Sequence, residues 1–399
     1  MTKKRSYQYY KQAFEEQAKP FAFVDLDFFD ENVWKVAERA GDKKIRIASK
    51  SVRCRALLQR ILDYGEQYQG LMCYTAEEAL WLSQEGFDDL LVAYPTMNAA
   101  TIGKIAAAVK KGCKIYLMTD KKEHLEAINK AGEAAQVVLP VCLDLDVSSR
   151  YPGLHFGVHR SSVTNLERVK TYYQQVQQLP FVALHGLMGY EAQIAGVGNQ
   201  TKGQGIKNWL IKRLQQHSIQ QVRQKRAEAV AYLEQQLGHT LSFVNGGGTG
   251  SLESTREETV VTEVTAGSAF FSPTLFDHYS GFQHLPAAAY AIEIVRQPQA
   301  QIYTCLGGGY VASGMVGKDK IPQPYLPEGC QLNPNEMAGE VQTPIHYTGT
   351  EQLTLGDPIF MRHSKAGELC ERFNDLLILQ QDKLLGSFPT YRGEGQCFL

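Results

Sequence analysis

Two stretches hold residues whose types and spacing could do chemistry. In Ile45-Arg46-Ile47-Ala48-Ser49-Lys50-Ser51-Val52-Arg53, a short β-prone run ends on a lysine and gives way to a helix-like segment. A primary amine at the C-terminal mouth of a strand is where barrel enzymes place their chemistry, and such an amine can add to a carbonyl carbon. The second stretch is Val244-Asn245-Gly246-Gly247-Gly248-Thr249-Gly250-Ser251. Three consecutive glycines let backbone amides approach an anion with no Cβ in the way, and Thr249 and Ser251 add hydroxyl donors. Plainer readings exist for both: a solvated lysine capping a strand, and a flexible turn. The glycine run is neither a Walker A loop nor a dinucleotide fingerprint, because the lysine or the spacing those need is missing. A small phosphorylated aldehyde bound between Lys50 and the glycine loop would account for both stretches. Pyridoxal 5′-phosphate, held as a Schiff base on Lys50, fits that description.

Something must carry the amine and the loop to one place. Short apolar runs recur at 45–49, 71–75, 89–95, 114–119, 137–146, 181–190, 241–247 and 259–268, with helix-like stretches between them. Eight such strands over roughly 230 residues approach the ~250 typical of a (β/α)₈ barrel. In that count Lys50 follows strand one and the glycine loop follows strand seven, where barrels often build a phosphate site. An open doubly wound sheet is the competitor, but Lys50-Ser51-Val52-Arg53 occupies the turn where its Gly-rich fingerprint belongs. From about residue 283 the pattern turns to strands punctuated by Gly and Pro. The expected organisation is a polar, aromatic extension over 1–20 packed on the β-domain, a (β/α)₈ barrel over 21–282, and a mostly β domain over 283–399.

With 41 Lys+Arg against 42 Asp+Glu the net charge is −1, so no whole-protein field favours nucleic acid or anionic lipid. The basic N-terminus lacks an apolar segment behind it, and no apolar run reaches membrane-spanning length. A soluble cytoplasmic protein, binding neither nucleic acid nor membrane, is expected. The eight cysteines are scattered without a Cys-x-x-Cys pair, which suits reduced thiols better than disulfides or a zinc site.

The order of a lysine after strand one, an Asp-bearing strand five, a glycine loop after strand seven and then a β-domain resembles the fold-type III pyridoxal-phosphate enzymes. These are alanine racemase and the D-threonine aldolase and D-serine dehydratase group. Arg46-Ile47-Ala48-Ser49-Lys50 is similar to that family's Arg-Pro-His-x-Lys, and Thr75-Ala76-Glu77-Glu78-Ala79 to its Thr-x-x-Glu-Ala. Asp144-Leu145-Asp146 and Asn245-Gly246-Gly247-Gly248-Thr249 also match. The resemblance implies that Lys50 carries the cofactor and that Gly247, Gly248 and Thr249 hold its phosphate. Asn245 and Ser251 are further candidates to bind it, and Tyr190, closing strand six, reads equally as a partner of the pyridine ring or as a core-edge tyrosine. The resemblance also implies a homodimer.

Four departures from the family pattern bear on the reaction. Thr265-Ala266-Gly267 stands where alanine racemase has Arg-Pro-Gly, so no arginine is directed at the pyridine nitrogen. Gly309-Tyr310-Val311-Ala312-Ser313-Gly314 is similar to the racemase Gly-Tyr-x-Asp-Gly but is one residue longer and lacks the aspartate. His155 replaces another family arginine, leaving Arg150 or Arg160 to do its work. Late in the β-domain the relatives' His-x-Asp or His-x-Cys metal pair corresponds to His363 and Lys365. A cationic lysine repels a divalent ion, so a metal is not expected, although Glu368 or Cys370 could substitute.

The resulting expectation is a pyridoxal-phosphate lyase, aldolase or dehydratase, for a small D-amino acid with a 3-hydroxyl. His363 or Lys365 would handle the hydroxyl proton. The alternatives are an amino-acid racemase with Lys50 and Tyr310 as opposed bases, and a non-catalytic cofactor carrier.

Overall fold

The computed structural model describes residues 4–311, 317–365 and 367–398. Eight parallel strands close into a barrel: Lys44–Ala48 (β1), Tyr68–Cys73 (β2), Leu90–Val92 (β3), Ile115–Thr119 (β4), Leu139–Asp144 (β5), Val182–Met188 (β6), Phe243–Gly246 (β7) and Glu263–Ala266 (β8). These coincide with the eight apolar runs of the sequence. Closure comes from β8 against β1, with Val264 opposite Ile45 and Ala266 opposite Ile47. Helices lie between successive strands in the chain, including Ala76–Gln84, Leu166–Gln177 and the 33-residue Gly205–Leu237. The Thr75-x-x-Glu78 motif caps the first of these. The Thr75 hydroxyl accepts from the Glu78 amide at 3.1 Å, and the Glu78 carboxylate accepts from the Tyr74 amide at 2.7 Å.

The barrel interior is packed rather than open. Leu91, Met118, Cys142, Met188 and Phe243, one from each of five strands, form a buried layer. Gly186 on β6 makes room for Phe243, because a Cβ there would fall 2.3 Å from the Phe243 ring. Beneath the barrel mouth Arg46 is fully buried, bonded to the Glu263 carboxylate at 2.7 Å and 3.0 Å and paired with Asp89 at 2.8 Å. A buried guanidinium is tolerated when it is paired and hydrogen-bonded in this way.

Contacts divide the chain into two units. One holds the barrel: residues 37–50, 61–267 and 398–399. The other combines residues 1–36, 51–60 and 268–397 around a nine-stranded sheet. The sequence boundary of 21–282 assigns Phe21–Asp25 to the barrel, whereas the structure places it in this sheet. It pairs antiparallel with Ala288–Gln299 and parallel with Asp375–Gln380. All five of its residues are buried, so both faces are covered. In the same unit the helix Tyr7–Ala13 places Tyr10 against Phe23 and Phe360, with ring centres 4.9 Å and 5.6 Å apart. The Tyr10 hydroxyl donates to buried Asp25 at 3.1 Å, and Asp25 also accepts from Arg5 at 2.9 Å. No described helix is long and apolar enough to cross a membrane.

Candidate active site

Strand β1 ends at Ala48 and runs directly into a single 3₁₀ turn, Ser49–Ser51, which leaves Lys50 exposed at the C-terminal end of the strand. Its Nζ lies 3.4 Å from the Tyr94 hydroxyl and 5.8 Å from the centre of that ring. Tyr94 stands two residues past β3, just before Pro95. Arg160 covers the same ring from the loop after β5: its guanidinium carbon is 4.9 Å from the Tyr94 ring centre and 5.8 Å from that of Tyr190. Cation–π contacts of this kind fix a guanidinium over aromatic faces. Arg160 also donates to the Ala93 carbonyl at 3.0 Å and pairs with Asp144, at the end of β5, at 3.3 Å.

The electrostatics follow from these distances. Burial pushes the Tyr94 phenol up, but the charges of Lys50 and Arg160 together outweigh it and hold the phenol below its usual value. Burial raises the Asp144 carboxyl to about 6, because Arg160 offsets only part of the desolvation and Asp120 and Asp146 oppose ionisation. Tyr190 is pushed up to about 12 by burial, helped by neighbouring Glu191, and stays protonated at neutral pH.

The glycine loop follows β7. Gly247 has φ +84°, a left-handed conformation that side chains rarely adopt. Gly248 lies under Tyr190: a Cβ there would sit 2.8 Å from the Ala195 Cβ and 3.1 Å from the Tyr190 ring. The Gly248 amide donates to the Ser251 hydroxyl oxygen at 3.1 Å, and the Ser251 hydroxyl donates onward to Glu191 at 2.8 Å. The single proton of Ser251, read from the sequence as a donor to an anion, is therefore directed at a carboxylate. Thr249 is buried, and its carbonyl accepts from Arg39 at 2.7 Å. The Asn245 side chain is turned into the barrel, where its amide donates to Glu263 at 2.8 Å and Thr265 at 2.9 Å.

Thus Lys50, Tyr190, Gly247, Gly248, Thr249 and Ser251 belong to one unit and lie at the C-terminal ends of its strands, while Asn245 serves the interior network. Arg160, not Arg150, supplies a guanidinium to this mouth; Arg150 is exposed and lines a groove beside the helices Leu166–Gln177 and Gly205–Leu237.

His363, Lys365 and Tyr310 belong to the sheet unit. His363 is fully buried, 6.3 Å edge-on from Phe271, and neither ring nitrogen has a hydrogen-bond partner among the described residues. Burial, with the Arg362 charge beside it, lowers the imidazole to about 3. Lys365 is half-buried. Tyr310 lies 5.2 Å under Arg372, and burial raises its phenol well above the usual value. Residues 312–314 of its motif lie outside the described residues. Among the described residues no group of three or more His, Cys, Asp or Glu side chains is placed to hold a metal.

Sequence reasoning missed Tyr94, Glu191 and Arg226. Position after a barrel strand was a usable signal for Tyr94. Arg226 sits on the sparse apolar stripe of a polar helix, four residues after Val222 and three before Ala229, and that register was a usable signal.

A family model described as alanine racemase, N-terminal domain, matches residues 24–274. The chain is 24% identical over 256 residues to a D-threonine aldolase from Arthrobacter sp., a match spanning 63% of this chain and 60% of that protein. Among solved structures it superposes on the D-threonine aldolase of Filomicrobium marinum with a TM-score of 0.77 at 17% identity, covering 94% of this chain and 96% of that one. The D-threo-3-hydroxyaspartate dehydratase of Delftia sp. HT23 gives 0.73 at 16% identity, covering 94% and 97%. At these identities the likeness is one of fold.

Proposed function

The chain belongs to the alanine racemase N-terminal domain family, and from that premise we propose that it is a pyridoxal 5′-phosphate-dependent lyase. Its substrate is a small D-amino acid with a 3-hydroxyl, cleaved by an aldolase or a dehydratase reaction. The observation that carries this reading is the unbroken run of contacts from amine to glycine loop. Lys50 meets Tyr94, Arg160 covers both Tyr94 and Tyr190, and Tyr190 lies on Gly248.

The residues fit the cofactor. Lys50 offers an exposed amine, Tyr190 an apolar ring face, and Gly248 a surface that a side chain would obstruct. The bound cofactor supplies the aldehyde that condenses with amines and the ring that accepts electrons from a breaking bond. Lys50 would hold the cofactor covalently, and its Nζ would be the group that holds a proton during the reaction. Tyr94, with its hydroxyl 3.4 Å from that nitrogen, can relay its proton. Arg160 presents a guanidinium to an anionic oxygen, and Asp144 fixes its orientation.

The 3-hydroxyl and the D configuration are common to the substrates named for the aldolase and dehydratase relatives, which supports this substrate class. Against the racemase alternative, burial leaves the Tyr310 phenol rarely ionised and a reluctant proton donor. Two measurements test the proposal. Borohydride reduction of the cofactor-loaded protein should label Lys50, and a panel of D- and L-amino acids should yield aldehyde or 2-keto acid from D-3-hydroxy substrates. Release of the opposite enantiomer alone would show a racemase instead, and a label on another lysine would remove Lys50 from its role.

A further inference from the structure

We propose that Arg226 is a positioning residue that holds the 246–251 loop in its anion-accepting shape and offsets part of the negative charge buried behind it. This rests on the reading of that loop as a phosphate site. Arg226 projects from the middle of the long helix Gly205–Leu237 and has no solvent exposure. Its guanidinium is 3.0 Å from Glu191 and 2.5 Å from Glu258, both carboxylates also buried, and it donates to the Gly189 carbonyl at 2.7 Å. It lies close against the first loop glycine, since a Cβ on Gly246 would fall 2.7 Å from its Nη2.

A chain of hydrogen bonds runs from this arginine into the loop. Arg226 donates to one oxygen of Glu191. The other oxygen accepts from Ser251 at 2.8 Å and from Thr255, and Ser251 in turn accepts from the Gly248 amide at 3.1 Å. Glu191 therefore fixes Ser251, and Ser251 fixes the peptide plane at Gly248. An uncompensated buried carboxylate at Glu191 would repel a phosphate dianion through low-dielectric surroundings. Arg226, which Glu191 shares with Glu258, reduces that repulsion while orienting the carboxylate.

The test compares apoprotein binding of pyridoxal phosphate with that of pyridoxal, which lacks the anion. Wild type should bind the phosphate ester far more tightly, and inorganic phosphate should compete. Were it to bind both equally, the loop reading would fail, and the proposal with it. In Arg226→Lys the pyridoxal phosphate affinity should fall about tenfold or more while pyridoxal affinity stays within about twofold. Ser251→Ala, a small change with little effect on packing, should show the same selective loss. The double variant should lose no more than the larger single loss, because both act through one chain. Equal losses for the two ligands, unchanged affinity in folded variants, or additive effects in the double variant would each overturn the assignment while leaving the loop reading intact.

Discussion

The amine of Lys50 and the hydroxyl of Tyr94 stand 3.4 Å apart at the mouth of the barrel, each delivered by the end of a different strand. Lys50 is exposed, and its charge reaches the Tyr94 phenol across that distance. The ammonium and the overlying Arg160 favour the phenolate, so the phenol ionises more readily than a free tyrosine.

Tyr94→Phe removes the hydroxyl and keeps the ring under Arg160. Loss of a positioned acid or base typically costs 10²–10⁴-fold. A shared role with Lys50 puts the expected fall in kcat near the lower end, about 100-fold, with cofactor still bound. The alkaline limb of the pH–rate profile should also move to higher pH, because the phenol that ionises below its usual value is gone. Unchanged turnover and an unchanged alkaline limb would leave Tyr94 a packing residue.

Asp144 holds Arg160 at 3.3 Å, and its carboxyl titrates near 6. Above that pH the carboxylate anchors the guanidinium; below it the carboxyl is neutral and the anchor weakens. Activity should therefore fall on acidification through about pH 6. Asp144→Asn, which is neutral throughout, should be slower at pH 8 and should lack this limb. Kinetics of the two proteins from pH 5 to 8.5 measure the difference.

A second pH effect concerns stability. The His363 imidazole is held neutral to about pH 3, chiefly by burial, whereas in the unfolded chain it protonates near 6.5. Between those values the unfolded chain binds the extra proton, so stability is full above the unfolded value and is lost as pH falls, by about 1.4 kcal/mol per unit. His363→Leu lacks this term. Between pH 7 and 4.5 the wild type should lose roughly 2.5 kcal/mol more than the variant in urea unfolding. Parallel losses in the two proteins would show that the imidazole is not held neutral by its surroundings.

Much of this could be read before any coordinates. The barrel strands announce themselves because strands covered on both faces carry continuous apolar runs. Lys50 and the glycine loop are visible because a cation ending such a run, and three glycines in a row, stand out from the strand and helix patterns around them. Phe21–Asp25 reads the same whether it joins a barrel or a sheet. Its partners are Ala291 and Leu376, far along the chain, and no local pattern encodes that choice. Ser251 illustrates a different limit. A hydroxyl beside glycines looks like a ligand for phosphate, and only the position of Glu191 reveals where its proton goes. Arg226 shares a helix face with Val222, Ala229 and Leu233, which marks it as facing inward, but its carboxylate partner Glu191 is 35 residues away in a loop and no local pattern encodes that pairing.

The last prediction concerns metal. His363 is neutral and neither nitrogen is hydrogen-bonded among the described residues, so its chemistry alone would suit a ligand. One imidazole does not make a site. A cationic lysine two positions on repels a divalent ion, and neutralising it requires burial at a cost of several kcal/mol, whereas Lys365 is only half-buried. Activity should therefore survive EDTA, and elemental analysis of the purified protein should find no stoichiometric zinc or manganese. If the Lys365 amine instead serves the substrate carboxylate or its hydroxyl proton, Lys365→Ala should lower turnover more than it lowers the melting temperature. One bound equivalent of metal, together with activity that vanishes on chelation and returns with manganese, would sink the lysine argument and make Glu368 and Cys370 the ligands to mutate.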